Sequence, residues 1–429
     1  MRDISVTVYN ENLGLVHEER AVAIPSGRSE LRCDDVAAQL DPTSVHLVPA
    51  DDGAFQVLEQ NFQYDLINSD RLLERSLHAA VQVLGRHGEV VDGRLLSFDA
   101  GSLVLETRDG VKMLDRGQLR ELSVPSLPGG LISRPTLSWL IECPSPGDRR
   151  TRLSYLTGGL SWHAEYVAVI NAADDGLSLA GWVSIENRSG ASYPDAKLKL
   201  VAGDVHRVAP RYGPERPGTR MLMQMDAAAA SQFEERRFFE YHLYDLQRRT
   251  TIADLETKQV AFFEPAAVSR VQKQYKFDPW RGPKVSAAVE FKNTKESGLG
   301  MPLPAGTVRV YKQDEDGTAE FVGEDRIGHT PQDESVRLAV GNVFDVVAEI
   351  KAADYRRLSD SVTETAYEIS VRNRKPEAIT ILVSEHPVGD WEILRPSHEY
   401  TRKDAHTVEF PVEAPAGGEV KVTYRVRTR

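Results

Sequence analysis

The sequence predicts an all-β protein: multiple β-sandwich units, with a small SH3-like or Sm-like barrel inserted near the N-terminus. Three observations lead there. Apolar and polar residues alternate with a period of two along most of the 429 residues, the spacing of strands that bury one face. Asp52-Gly53, Asp109-Gly110, Asp175-Gly176 and Asp316-Gly317 punctuate these runs, and Asp-Gly favours the left-handed backbone of a tight hairpin turn. Three segments also end alike: VSIENRSG (183–190), VEFKNTKES (289–297) and ISVRNRKPE (369–377).

In each of these segments two apolar residues fall in phase with an asparagine: Val183, Ile185 and Asn187; Val289, Phe291 and Asn293; Ile369, Val371 and Asn373. That phase points the amide inward at the strand's end, where it would satisfy backbone groups of the departing loop. The three strands therefore read as equivalent members of repeated units. At roughly 100–200 residues per domain, the chain divides into an N-terminal β segment (1–67) that completes a sandwich with strands after 127, a barrel insert (68–126), a central sandwich (127–275) and a C-terminal sandwich region (276–429). Helical candidates are few: 68–80, which opens on Asn-Ser-Asp, 226–239 and 351–358.

The barrel reading rests on a capped helix followed by five short strand-like runs joined by glycine turns within 81–124. Its order resembles Sm-like barrels, but Ser102 and Gln118 stand where the RNA-binding members carry other residues. Six cations against seven carboxylates leave 81–124 near neutral and poor in aromatics, a weak RNA platform. The whole chain carries a net charge of −12, which argues against general nucleic-acid or anionic-membrane binding. No window approaches the ~20 apolar residues of a membrane span, so no membrane insertion is expected. The N-terminus opens directly on strand-like sequence without a signal-peptide pattern, giving the expectation of a soluble, cytoplasmic chain. Cys33 and Cys143 lie far apart and outside any Cys-x-x-Cys spacing, so neither disulfide nor zinc is expected.

The stretch YLTGGLSWHAEY (155–166) looks most like a catalytic motif. Alternation assigns Trp162, Ala164 and Tyr166 to one face and Ser161, His163 and Glu165 to the other. Residues two apart on a strand are separated by about 7 Å, too far for a histidine to activate a serine, and His163 stands where a nucleophile elbow needs glycine. Gly158 and Gly159 then form a turn that feeds a strand anchored by Trp162 and Tyr166. No His-Glu-x-x-His or phosphate-binding glycine loop occurs, and the acidic run 312–318 reads as a hairpin turn. No catalytic, cofactor or metal residue is expected. Residues 209–231 break the periodicity and cluster Met221, Met223 and Met225, an adaptable docking candidate.

The runs VTVYNENLGLVHEERAVAIP, SYLTGGLSWHAEYVAVIN, LAGWVSIENRSGASYPDAKLKLVAGDV and YHLYDLQRRTTIADLETKQVAFFE together resemble a bacterial family known as a domain of unknown function, some of whose members are labelled mucoidy-inhibitor-like. The resemblance covers nearly the whole chain and implies a largely β architecture with no established activity or cofactor. Many relatives carry an export signal and a long coiled-coil insert; here the small barrel stands instead.

The expected function is a non-enzymatic scaffold that binds a protein partner or a second copy of itself through exposed strand edges. The alternative is a carbohydrate-binding or glycan-processing protein using Trp139, Trp162, Trp182, Trp280 and Trp391. Of these, Trp182 is out of phase with Val183 and Ile185 and is expected to face outward. The second alternative is RNA binding by the small barrel.

Overall fold

The computed structural model describes residues 2–50, 55–64, 68–126, 131–203, 233–238 and 241–429. These residues are mostly strand, arranged in several sheets, as the alternation predicts. The chain divides into two compact units: 1–161 with 186–200 and 248–257, and 162–185 with 201–247 and 258–429. The division is therefore not sequential. The boundary expected between residues 275 and 276 falls inside the strand Gln272–Phe277.

In the first unit Gly14–Ile24 pairs with Asp3–Tyr9 on one side and with Gly147–Thr157 on the other. A second ladder places Thr136–Cys143 between Gly27–Cys33 and Gln56–Gln63. Gly14–Ile24, Gly27–Cys33 and Gln56–Gln63 thus all pair with strands that begin at Thr136 or later. Glu18 is almost wholly buried and is held by Arg2 and Arg20, both of which also pair with Asp35. Such a buried carboxylate is tolerable only with its cations in place. Cys33 and Cys143 are buried and not joined in a disulfide; burial pushes Cys33 up to about 12.

Residues 68–126 carry their own core of Leu73, Val81, Val83, Leu95, Leu103 and Leu105. Asn68 caps the helix Ser69–Arg75 by accepting the Arg71 N–H at 2.9 Å, a stabilisation of about 1 kcal/mol. The helix ends before residue 80 because the chain turns at His78, whose φ is +63°, into the strand Ala80–Gly85. Five antiparallel strands follow in the order Leu119–Ser123, Ala80–Gly85, Val90–Phe98, Ser102–Thr107, Gly110–Asp115.

The second unit holds a five-stranded sheet in the order Glu256–Ser269, Gly176–Asn187, Leu160–Ile170, Gly306–Gln313, Ala319–Ile327. Its largest sheet runs Trp391–Leu394, Glu419–Thr428, Thr363–Asn373, Ser335–Arg357, Lys284–Lys292, Gln272–Phe277, Ile379–Glu385, Thr407–Ala414, Thr401–Asp404. Phe410 and Tyr424 come from strands six places apart in that order, yet their rings stack at 5.0 Å. At about 4.8 Å per strand a flat sheet would separate them by far more, so the sheet folds back over a shared core that includes Phe277, Val285, Ile369, Ile381 and Val383.

Two helical expectations are corrected. Residues 351–357 belong to the strand Ser335–Arg357, laddered to Thr363–Asn373, with Leu358 just past its end; ladder pairing overrides the helix preference of Ala352 and Ala353. Phe233–Phe238 is a strand paired with Tyr241–Leu246 where the helix 226–239 was expected, and 226–232 lie outside the described residues.

Asn187, Asn293 and Asn373 are fully buried and act alike. The Asn187 amide donates to the carbonyls of Ala191 at 2.8 Å and Ala253 at 3.0 Å, while its oxygen accepts the Ser189 N–H. Asn293 donates to Met301 and Pro331 and accepts from Gly300. Asn373 donates to Glu377, Ala414 and Pro415 and accepts from Lys375. Replacing Asn373 by Ala strands these buried carbonyls, and the expected cost is about 3 kcal/mol in urea unfolding. Asn373→Asp, equal in size but facing carbonyls with a carboxylate, should cost at least as much. An aspartate variant as stable as the parent would contradict this role.

Candidate functional site

The strand Leu160–Ile170 answers the question its letters raise. Trp162, Ala164, Tyr166, Ala168 and Ile170 are buried, while His163 is exposed on the opposite face. Trp162 donates its indole N–H to the Val201 carbonyl at 3.0 Å, and Tyr166 its hydroxyl to the Pro304 carbonyl at 2.8 Å. Burial pushes the Tyr166 hydroxyl far up, as suits an anchor that stays protonated. Gly159 has φ +77°, and a Cβ there would sit 2.6 Å from the Arg188 backbone, so both its sign of φ and its contact demand glycine. Gly158 precedes it, its N–H held by the Gln39 carbonyl.

Ser161 makes no hydrogen bond to His163 among the described residues. Glu165 is instead the hub of that face: Gln259 Nε2 donates to it at 2.7 Å, Ser184 Oγ at 3.1 Å, and Arg309 lies 3.8 Å away. His163 Nε2 stands 3.6 Å from the same carboxylate. Trp182 shares the face of Ser184 two residues along the strand and is 41% exposed. The outward placement expected of Trp182 is observed. Trp139, Trp162 and Trp391 are buried, so of the five tryptophans only Trp182 and Trp280 offer a ring to solvent. Met221, Met223 and Met225 lie outside the described residues.

A second polar cluster, which the sequence reading did not find, forms on the largest sheet. Asp278 Oδ2 lies 3.0 Å from His386 Nε2, and the other imidazole nitrogen is 3.4 Å from Thr407 Oγ1. A carboxylate that fixes an imidazole in this way sets its tautomer. Glu385, next in the chain, is buried and receives the Trp280 indole N–H at 3.0 Å. Burial pushes its carboxyl up, against the opposing pulls of Tyr424 and Trp280, although neither its Oε1 nor the Tyr424 hydroxyl reaches a hydrogen-bonded geometry. Glu409 is also held up by burial, but Lys403 and Lys276, each at 3.3 Å, bring it below the usual carboxylate range.

The sequence hides this cluster because Asp278 and His386 stand 108 residues apart and are brought together by the parallel pairing of Gln272–Phe277 with Ile379–Glu385. The adjacent Glu385 and His386 at the end of an apolar strand were the one local signal. Among the described residues no group of three His, Cys, Asp or Glu side chains is placed to hold a metal ion, and no helix is long and apolar enough to cross a membrane. The chain matches no family model and no curated protein.

Glu385 fixes a pH dependence. A carboxyl whose folded pKa is raised stabilises the fold most below the unfolded value near 4.3, and that contribution is lost as pH rises through the folded value. Glu385→Gln should therefore flatten the fall in urea midpoint between acid and neutral pH and leave the neutral protein no less stable than the parent. An unchanged slope in the variant would exclude Glu385 as its source.

Proposed function

We propose that the chain is a non-enzymatic scaffold of β-sandwich units, carrying a small closed barrel at 68–126, and that it works by protein–protein interaction, first with a second copy of itself. This reading keeps it with the bacterial family of unknown function that it resembles, here in a reducing, cytoplasmic setting suited to two buried cysteines that form no disulfide. For the barrel, the support is that Leu119–Ser123 returns to pair with Ala80–Gly85, the first strand of its sheet.

The observation that carries the scaffold reading is the strand Ser335–Arg357. Its neighbours are Thr363–Asn373 and Lys284–Lys292, but the second ladder stops at Val347. On that side, residues 348–357 carry no ladder among the described residues, leaving an open edge that another strand can extend. Exposed apolar side chains accompany it: Phe344 at 94%, Tyr355 at 63% and Leu358 at 54%. Sedimentation of the parent across a concentration series should show reversible self-association, and Phe344→Asp with Tyr355→Asp should weaken it by about ten-fold or more, roughly 1.4 kcal/mol. A parent that stays monomeric at every concentration overturns the reading.

One observation favours a second reading, carbohydrate binding: the exposed Trp182 beside the Glu165, Ser184 and Gln259 array. Aromatic faces with orienting polar groups suit sugar rings. Titration with neutral oligosaccharides should quench tryptophan fluorescence in the parent and not in Trp182→Ala; no quenching in either removes this reading. RNA binding lacks comparable support, since the cleft on the small unit is lined by Asp92 and Glu106 as well as Arg108.

A further inference from the structure

A cleft of about 570 Å³ opens on the outer face of the largest sheet, beside Asp278. Its floor is one rung across three strands: Ser286 lies between Lys276 on one neighbour and Asn342 on the other. The intervening residues Phe277 and Val285 point into the core, so this rung faces outward. Small side chains at Ser286 and Ala339 leave the hollow, and long cations border it.

Five cations line the cleft: Lys276, Arg281, Lys284, Arg337 and Lys403. Lys276 and Lys403 share Glu409, each at 3.3 Å, and Arg281 lies 3.4 Å from Asp278. Glu290 stands across the ladder from Arg337 but is engaged by Gln274. Among the described residues, the side chains of Lys284 and Arg337 have neither a hydrogen bond nor an ion pair. Asp325 stands behind the wall, its Oδ2 accepting the Ala339 N–H at 2.7 Å; five cations still outnumber these four carboxylates, on a chain whose net charge is −12.

We propose that this cleft binds a small, multiply charged oxyanion of the phosphate class. Unpaired like charges gathered in a hollow repel one another unless an anion neutralises them, and a concave surface focuses that field on a ligand. The Arg337 guanidinium offers the fork that matches two oxyanion oxygens, and Lys284 a point charge. The Asn342 amide adds a neutral donor, and the volume lies within the range of small-ligand sites, about 300–1,000 Å³.

The test is calorimetric titration of the full chain with inorganic pyrophosphate at about 0.15 M salt, where weak surface attraction is screened. The expected result is saturable one-to-one binding, weakened about ten-fold or more by Lys284→Ala and by Arg337→Ala and unaffected by Arg28→Ala, an exposed cation of the other unit. Both cleft side chains are exposed, so unchanged melting temperatures will show that the variants fold. ADP in a parallel titration distinguishes the sources: tighter binding than pyrophosphate assigns the site to a nucleotide, and equal or weaker binding to phosphate alone. Absence of saturable binding, or an Arg337→Ala protein that binds like the parent, overturns the proposal.

Discussion

A buried primary amide brings two N–H donors and a carbonyl oxygen into a place without water, and each must be paired. In this protein that requirement is turned to use at three strand ends. Asn187, Asn293 and Asn373 reach across to carbonyls of a second segment while holding the loop that leaves their own strand. The second segment is distant in sequence each time: 66 residues on for Ala253, 38 for Pro331, 42 for Pro415. Each amide therefore ties a local turn to a remote chain, which is the kind of contact an all-β fold needs and cannot obtain from local ladders alone. A hydrophobic residue there would pack but leave the carbonyls unpaired.

The same economy explains why the outward faces are polar without being disordered. Once Trp162 and Tyr166 are committed inward, period-two geometry places His163 and Glu165 outward, and neighbouring strands supply Ser184, Gln259 and Arg309 at the matching level. Across the largest sheet, the inward commitment of Phe277 and Val285 likewise sets Lys276 and Ser286 side by side. Both polar faces are consequences of core alternation in one strand meeting core alternation in the next.

That logic also marks what was legible in the sequence. The inward phase of Asn187, Asn293 and Asn373, the anchoring roles of Trp162 and Tyr166 and the exposure of Trp182 depend on one strand's own period, so single segments reveal them. The cap at Asn68 is local for the same reason. Asp278 with His386, or Lys276 in one rung with Ser286 and Asn342, depends on which strands become neighbours, and a parallel pairing across more than 100 residues leaves no local trace. Residues 351–357 fail for a related reason. Their alanines and arginines prefer helix in isolation, and only the partner strand Thr363–Asn373 makes extended backbone the better solution.

The long strand Ser335–Arg357 shows where a β fold of this kind keeps a reactive margin. Its first half is laddered to Lys284–Lys292 and its second to Thr363–Asn373, with the exchange between Asn342 and Val347. The two ladders overlap only at Val347, which faces Lys284 on one side and Arg372 on the other. Phe344, 94% exposed, lies in the irregular stretch between Asn342 and Val347 that has no partner on the Lys284–Lys292 side among the described residues, and the edge beyond carries the charges of Glu349, Lys351, Asp354, Arg356 and Arg357. Charged side chains along an open edge discourage indiscriminate pairing while leaving the backbone donors and acceptors in place. Under the proposed self-association, an edge guarded in this way would favour a strand whose own charges match, so the feature that discourages aggregation would also confer selectivity.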